Sequence, residues 1–409
     1  MHGVEEHIQR YVERLVEDEA ISSALVKRAF SRVKRHRFVD HWYRLGSGEG
    51  SQPVWSLIEF DRDRPTTDDL AEIYSNQSLV TVVDGPMPTS STSQPTVVAH
   101  MLELLELEPG MNVLEIGTGT GYNAALLAEI VGETGSVTSV DLQPDVAATA
   151  AMSLRGEEYA GVRVEVRDGM RGAPERAPFD RIIATVGCSD VAPAWLQQLA
   201  ENGLIVLPLR HGAGDFLMRV TRDPESPQEG IGIVGGLSFF MSIQGAWATP
   251  NPWQSYGIVG LPSEPTVTLP LPAPLASGQR VDAPPLQDPI HQAFHFFLSL
   301  TSREHWFTLR GYGLADPGAG ATLLVTRDAL EGYAATKSAR RGLDRLIERL
   351  HELLDHWKAL GAPTPADYAC RFVPKPRFSV LPAGDEPRWL VERLEHWEIV
   401  RLRTGLTDR

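Results

Sequence analysis

Residues 113–121 read Val113-Leu114-Glu115-Ile116-Gly117-Thr118-Gly119-Thr120-Gly121, and Tyr122 opens a segment of helical character. An apolar strand that runs into a glycine-rich turn and then a helix marks a nucleotide-type α/β unit. Glycines there let the backbone turn sharply and approach a ligand without side-chain clash. Several cofactor classes use such loops, so the neighbouring residues decide between them. Glu115 stands at the strand end, immediately before the glycines. Asp141 closes the next apolar run, Ser136–Asp141, where a carboxylate can accept from both hydroxyls of a ribose. Asp168-Gly169 follows a third run and is placed to meet an adenine amino group.

Outward from this core, 97–107, 124–131 and 146–154 read as helices, and 112–116, 162–166, 180–185 and 204–207 as strands. Such alternation predicts a doubly wound α/β fold, a parallel sheet with helices on both faces. Residues 1–45 read as helical. Residues 46–68, rich in glycine and proline, read as an irregular excursion. Eight prolines between 261 and 290 read as a linker or wrapped segment. Beyond it, Leu343, Leu346, Ile347, Leu350, Leu353, Leu354, Trp357 and Leu360 form a helical stripe ending at Gly361 and Pro363. A last helix is expected after Pro387, with Trp389, Leu390, Leu394 and Trp397 inward. The expected organisation is 1–80 as N-terminal helical and substrate-cleft elements, 81–250 as the cofactor-binding catalytic domain, 251–290 as linker and 291–409 as a smaller accessory domain.

The 409 residues suffice for two domains, and 42% hydrophobic residues is ordinary for a globular chain. A net charge of −15 argues against nucleic acid or an anionic membrane as partner, since both require a basic face. One basic stretch, Lys27, Arg28, Arg32, Lys34, Arg35, His36 and Arg37, reads as a solvated helix face, with a steering patch for an acidic peptide as the alternative. Two distant cysteines, Cys188 and Cys370, make neither a disulfide framework nor a zinc site, and suit the cytoplasm. The N-terminus lacks a signal-peptide pattern, and no run is long enough to cross a bilayer. His291 and His295 are four apart, but Phe294, Phe296 and Phe297 beside them favour a packed helix over a metal pair, so no metal is expected. The glycine loop has no phosphate-binding lysine, which favours a cofactor without phosphates, such as S-adenosylmethionine.

From about residue 20 to 245 the chain resembles the protein-L-isoaspartate O-methyltransferases. The resemblance is carried by Val33-Lys34-Arg35-His36-Arg37-Phe38-Val39, Tyr74, Ser93-Gln94-Pro95 with Val98, Met101 and Leu102, the loop ending at Gly121, Asp168-Gly169, Ala177-Pro178-Phe179-Asp180, and Gln198-Leu199 with Gly203. It implies a Rossmann-like methyltransferase sheet, with S-adenosylmethionine as cofactor and S-adenosylhomocysteine as its product. It places Ser93 beside the methyl acceptor, Gly117, Thr118, Gly119 and Gly121 in the cofactor loop, Glu115 at its root, Asp141 on the ribose, and Asp168 with Gly169 on the adenine. It also implies that the acceptor is an aspartyl or isoaspartyl carboxylate whose ester closes to a succinimide. Four departures stand out. Lys34 replaces a proline and Ser91 a threonine, 46–68 is an insertion, and about 160 residues follow position 245.

Serine two residues before a helix-starting proline is also a common cap, so Ser93 is expected both to cap and to line the site. A second copy of the triplet, Ser51-Gln52-Pro53, sits in the irregular region and is assigned no role. The extension suggests recognition of a dedicated peptide, such as a ribosomally made precursor, or an oligomer interface. The other readings are general isoaspartyl repair, a small-molecule methyltransferase and a non-catalytic scaffold.

Overall fold

The computed structural model describes residues 2–46, 54–85, 87–212, 214–245, 247–248, 264–273, 275–277, 288–308, 311–377 and 388–403. The triplet Ser51-Gln52-Pro53 lies outside them. The chain forms two units. The first comprises Met1–Pro208, Arg219–Gly230 and Phe240–Thr249; the second comprises Leu209–Met218, Ile231–Phe239 and Pro250–Arg409. The second unit therefore takes two stretches from inside the region expected to be purely catalytic.

The first unit opens with helices α1 (His2–Glu17) and α2 (Ala24–Arg32), followed by a short 3-10 turn, Arg35–Phe38. Strands β1 (His41–Gly46) and β2 (Val54–Glu59) form an antiparallel hairpin pairing His41 with Glu59 and Gly46 with Val54. Residues 41–45 are thus strand rather than helix, and 54–59 are strand rather than irregular. The glycines and Pro53 that suggested an excursion flank the strand, whose own residues, Val54-Trp55-Ser56-Leu57-Ile58-Glu59, favour a pleated surface. After α3 (Thr67–Ile73), strands β3 (Leu79–Asp84) and β4 (Met87–Thr92) complete a sheet ordered β2-β1-β3-β4.

Helix α4 (Pro95–Leu104) then leads to β5 (Asn112–Ile116), α5 (Tyr122–Val131), β6 (Ser136–Asp141), α6 (Pro144–Gly156), β7 (Arg163–Val166), β8 (Phe179–Ala184), α7 (Pro193–Gln198) and β9 (Leu199–His211). The strands lie in the order β7-β6-β5-β8-β9, with β5 parallel to both β6 and β8. Chain order runs one way from β5 to β7 and the other way through β8 to β9. Right-handed crossovers then put α5 and α6 on one face and α7 on the other, and the switch point falls between β5 and β8.

In the second unit, β10 (Gly214–Arg222) and β11 (Gly230–Ser238) stand beside β17 (Tyr368–Pro374), β19 (His396–Leu402) and β18 (Arg388–Glu392). A separate antiparallel sheet has the order β12-β16-β15-β14-β13, from β12 (Val267–Pro270), β13 (His305–Thr308), β14 (Gly311–Asp316), β15 (Ala321–Val325) and β16 (Ala329–Ala334). Part of the expected linker is therefore an edge strand, and Pro270 is tolerated at its end because an edge needs no donor there. Helices α8 (Pro289–Thr301) and α9 (Lys337–Ala359) complete the unit. On α9, Leu343, Leu346, Leu350, Leu353, Leu354 and Trp357 are buried in one core with Phe294, Phe297 and Leu323. On α8, His291 and His295 are buried as part of a packed helix, His291 Nδ1 lying 2.9 Å from Tyr312 Oη.

The expected last helix is instead the hairpin β18–β19, pairing Arg388 with Arg401 and Glu392 with Trp397. β-branched Val391, Ile399 and Val400 favour strands, and Leu390 and Leu394, expected inward, are exposed. No described helix is long and apolar enough to cross a membrane. Because Leu350 is enclosed by the α9 core, Leu350→Ala should lower stability in urea denaturation by about 2–5 kcal/mol. Glu352→Ala, on the exposed side of the same helix, should change it by less than about 0.5 kcal/mol.

Candidate functional site

Val113, Leu114 and Ile116 are buried, which fixes β5 in the sheet and delivers the glycine turn to the switch point. Gly117 has φ +95° and Gly119 φ +52°, left-handed values that favour glycine. Close approach restricts both as well. A Cβ on Gly117 would lie 2.8 Å from Val186 Cγ1, and one on Gly119 would lie 3.1 Å from the Ser91 carbonyl oxygen. Gly121, φ +85°, is the N-cap of α5. Thr185, after β8, donates its hydroxyl to Gly117 O at 2.7 Å and closes the other side of the turn.

Glu115 stands at the root of the turn, in the last part of β5. It is fully buried, with Asn123 Nδ2 donating to Oε1 at 2.7 Å and Ser139 Oγ donating to Oε2. Ser139 has a single hydrogen, so the Thr118 hydroxyl, 2.7 Å away, donates to Ser139. Thr118 is itself buried. The two residues thus support the loop from beneath. Burial pushes the Glu115 carboxyl up to about 7, against the lowering effect of its two donors.

Asp141 ends β6 beside the turn. Its Oδ2 accepts from Gly119 N at 3.1 Å and its Oδ1 from Gln143 N at 3.0 Å. The Thr118 and Leu142 amides also bond this carboxylate. Burial raises its pKa, offset in part by these amides. Gln143 reaches from the same turn to donate to Thr89 O on β4 at 3.0 Å. Asp168 caps the short turn Gly169–Arg171 by accepting from Met170 N at 3.0 Å. The segment 240–245, which sequence reasoning did not connect to the site, brings Gly245 against this carboxylate. Gly169 is held for packing, since a Cβ there would lie 2.4 Å from Ile116 Cγ2, and its carbonyl accepts from Trp195 Nε1.

Ser93 is half-buried between β4 and α4. It is not the cap: Gln94 is, without a side-chain bond. Its carbonyl accepts from Arg35 Nη2 at 3.1 Å. Arg35 is fully buried and also donates to Gln77 O at 2.9 Å, Ile73 O at 2.6 Å and Ser75 O at 3.2 Å. Beside it His36 Nδ1 lies 2.8 Å from Tyr74 Oη. Burial, with Arg37 and Lys34 nearby, lowers the His36 pKa to about 4, so it is neutral near pH 7. The basic stretch is therefore not simply a solvated face. Arg28 and Arg32 pair with Glu129, Lys34 with Glu5, and Arg37 with Asp63 and Glu157, which leaves little of it to steer a ligand.

These residues meet the requirements of S-adenosylmethionine. The carboxylates of Asp141 and Asp168 suit the hydroxyl and amino donors of an adenosine, and the loop carries no lysine for phosphate.

Residues 56–230 match the protein-L-isoaspartate(D-aspartate) O-methyltransferase family. The protein-L-isoaspartate O-methyltransferase of Pyrobaculum neutrophilum is 36% identical over 218 residues, 53% of this chain and 90% of that protein. That of Anaeromyxobacter dehalogenans is 43% identical over 168 residues, 40% and 76% of the two chains. The chain belongs to the protein-L-isoaspartate O-methyltransferase family. It is accordingly an S-adenosylmethionine-dependent methyltransferase. A solved protein-L-isoaspartate O-methyltransferase structure, 22% identical, aligns over 89% of this chain and 96% of its own with a TM-score of 0.49.

Two outcomes follow for this family member. Folded Glu115 binds its proton more tightly than the unfolded chain does, so its contribution to stability is present below about pH 4.5 and is lost as pH rises through about 7. Relative to Glu115→Gln, the native protein should lose on the order of 3 kcal/mol across that window, read by denaturant melts at each pH. Arg35→Lys keeps the charge but not the planar fork of donors. It should lower methyl transfer by roughly tenfold or more while S-adenosylhomocysteine affinity, measured by calorimetry, stays within about twofold.

Proposed function

We propose that the enzyme methylates the free carboxylate of an isoaspartyl or aspartyl residue in a peptide or protein, the α-carboxylate of the first or the side-chain carboxylate of the second. The observation that carries this reading is the approach of Ser91 O to Gly119, which sets the Ser93 segment directly against the glycine turn. In this reading Gly117, Thr118, Gly119 and Gly121 shape the cofactor turn, Glu115 supports it, Asp141 accepts from the ribose hydroxyls, and Asp168 with Gly169 borders the adenine. When bound, S-adenosylmethionine supplies an electrophilic methyl group on a sulfonium.

The acceptor is already anionic near pH 7, so the chain need not provide a base or a metal. Its contribution is alignment and exclusion of water. The Ser93 hydroxyl orients the carboxylate by donating to one oxygen, which leaves the other with its electron density. Arg35 fixes the backbone from which that hydroxyl projects. The methyl ester then closes to a succinimide when the following backbone nitrogen attacks the ester carbonyl, loses its proton and expels methanol. Repair of isoaspartate follows from this closure, because hydrolysis of the ring yields some normal aspartate.

A narrower reading has its own support. The bulk of the second unit, from residue 250 onward, lies beyond the 56–230 match. A general repair enzyme has no evident use for it, whereas recognition of one ribosomally made precursor peptide would. The two are separated by comparing kcat/KM on unrelated isoaspartyl peptides: similar values assign general repair, and a preference of about a hundredfold or more for one sequence assigns a dedicated substrate.

Ser93→Ala tests the shared core of both. Loss of a hydrogen bond to a charged group costs about 1.5–3 kcal/mol, so methyl transfer to an isoaspartyl peptide should fall by roughly tenfold to a hundredfold. Calorimetry with S-adenosylhomocysteine should show unchanged binding. An unaltered rate would remove Ser93 from the acceptor site.

A further inference from the structure

Four directly opposed residues form a row across the N-terminal sheet. Ser91 on β4 faces Val80 on β3, Val80 faces Tyr43 on β1, and Tyr43 faces Leu57 on β2. Opposed residues present their side chains to one face of a sheet. Leu45 and Trp55, opposed two positions further along, share that face. The reverse face holds Trp42, Leu79, Thr81 and Thr92, all buried. The row is treated differently: Leu57 is 49% exposed and Leu45 54%, while Tyr43, Trp55, Val80 and Ser91 are half-buried. A contiguous apolar strip of this kind marks a binding surface more often than a scatter of single apolar residues does.

We propose that this strip seats an apolar or aromatic side chain of the substrate peptide, in an extended segment that leads away from the methyl acceptor. The proposal rests on the carboxyl-methylation reading and adds a specificity subsite to it. Three features favour this occupant. The strip begins at Ser91, two residues before Ser93 and in close approach to the Gly119 turn, so it is continuous with the place where the acceptor is held. No residue of the strip is charged, so it suits apolar rather than acidic flanking residues. Its outer part, on the β1–β2 hairpin, exposes Leu45 and Leu57, so a ligand can reach them.

The geometry also fixes the offset. From β4 to β2 is three strand spacings, about 14 Å, which an extended chain crosses in about four residues. The favoured side chain therefore lies about four positions from the acceptor, on one side of it.

The test uses the full chain and isoaspartyl peptides that differ at one position, phenylalanine against serine, placed in turn at each of six offsets on either side of the acceptor. Phenylalanine at one offset near four should lower KM by roughly tenfold. Leu57→Asp, and to a smaller extent Leu57→Ser, should erase that gain while leaving kcat, KM for the serine peptides and S-adenosylhomocysteine affinity unchanged. Leu57 is exposed, so thermal melts should show both variants folded. Equal KM for the two peptide series at every offset would overturn the proposal, as would equal losses on both series in the variants. A change of sedimentation mass in Leu57→Asp with KM unmoved would assign the strip to a second copy of the chain instead. Absence of methyl transfer to every isoaspartyl peptide and to their aspartyl counterparts would overturn the carboxyl-methylation reading and this one with it, whereas transfer without the phenylalanine preference overturns this one alone.

Discussion

A buried guanidinium decides where Ser93 stands. Arg35 spends its terminal donors on the carbonyls of Ile73, Ser75, Gln77 and Ser93. Those carbonyls belong to the end of α3, the segment entering β3 and the segment leaving β4, none of which could satisfy them within its own secondary structure there. A planar fork of fixed geometry therefore sets the spacing of three chain segments at once. Burying a cation is costly, and four oriented carbonyl dipoles offset that cost.

The facing wall is held by a different device. Thr118, Ser139 and Glu115 form a chain of hydrogen bonds beneath the glycine turn, with Asn123 on the other carboxylate oxygen. The turn has no side chains of its own at three positions, so its shape has to be imposed from the strands below and from Asp141 beside it. Both walls meet where Ser91 O approaches Gly119, and Gln143 fastens β4 to the same turn through Thr89. A site that works mainly by alignment needs this doubled support, because neither wall carries reactive chemistry that could tolerate misplacement.

The central sheet was legible because its signals are local. Short runs at 112–116 and 136–141, rich in strand-favouring Val, Ile and Thr and each bounded by turn residues, alternate with helical segments as parallel strands do. Arg35 was not legible. It lies in a run of cations, and nothing in the run distinguishes a solvated charge from one whose acceptors are 38 to 58 positions away in sequence. Glu115 was legible only in part: its place next to the glycines says that it belongs to the loop, but its partners Asn123 and Ser139 stand 8 and 24 positions away. At 388–402 the spacing of Trp389, Leu390, Leu394 and Trp397 fits a helix, yet strand pairing with β17 and the turn closed by Arg393 N to His396 O prevailed. There non-local pairing overrode local periodicity.

The second unit shows why its boundary could not be placed by composition. His211 lies within the 56–230 stretch that matches the family, but its Nε2 is 3.0 Å from Glu398 Oε1, and Arg393 donates both to Glu398 and to Arg210 O. All three side chains are buried. Burial alone would raise the Glu398 pKa, but Arg393 and then His211 hold it well below the usual carboxylate range. An ion group of this kind is tolerated only when every member keeps its partners, since removing one strands an uncompensated charge in the interior. The pairing thus ties residues 209–218 to the end of the chain more strongly than a proline-rich stretch separates them. The C-terminal unit is in this sense built into the family-matched region, and a cut at the composition break would leave His211 and Arg210 without the residues that complete their surroundings.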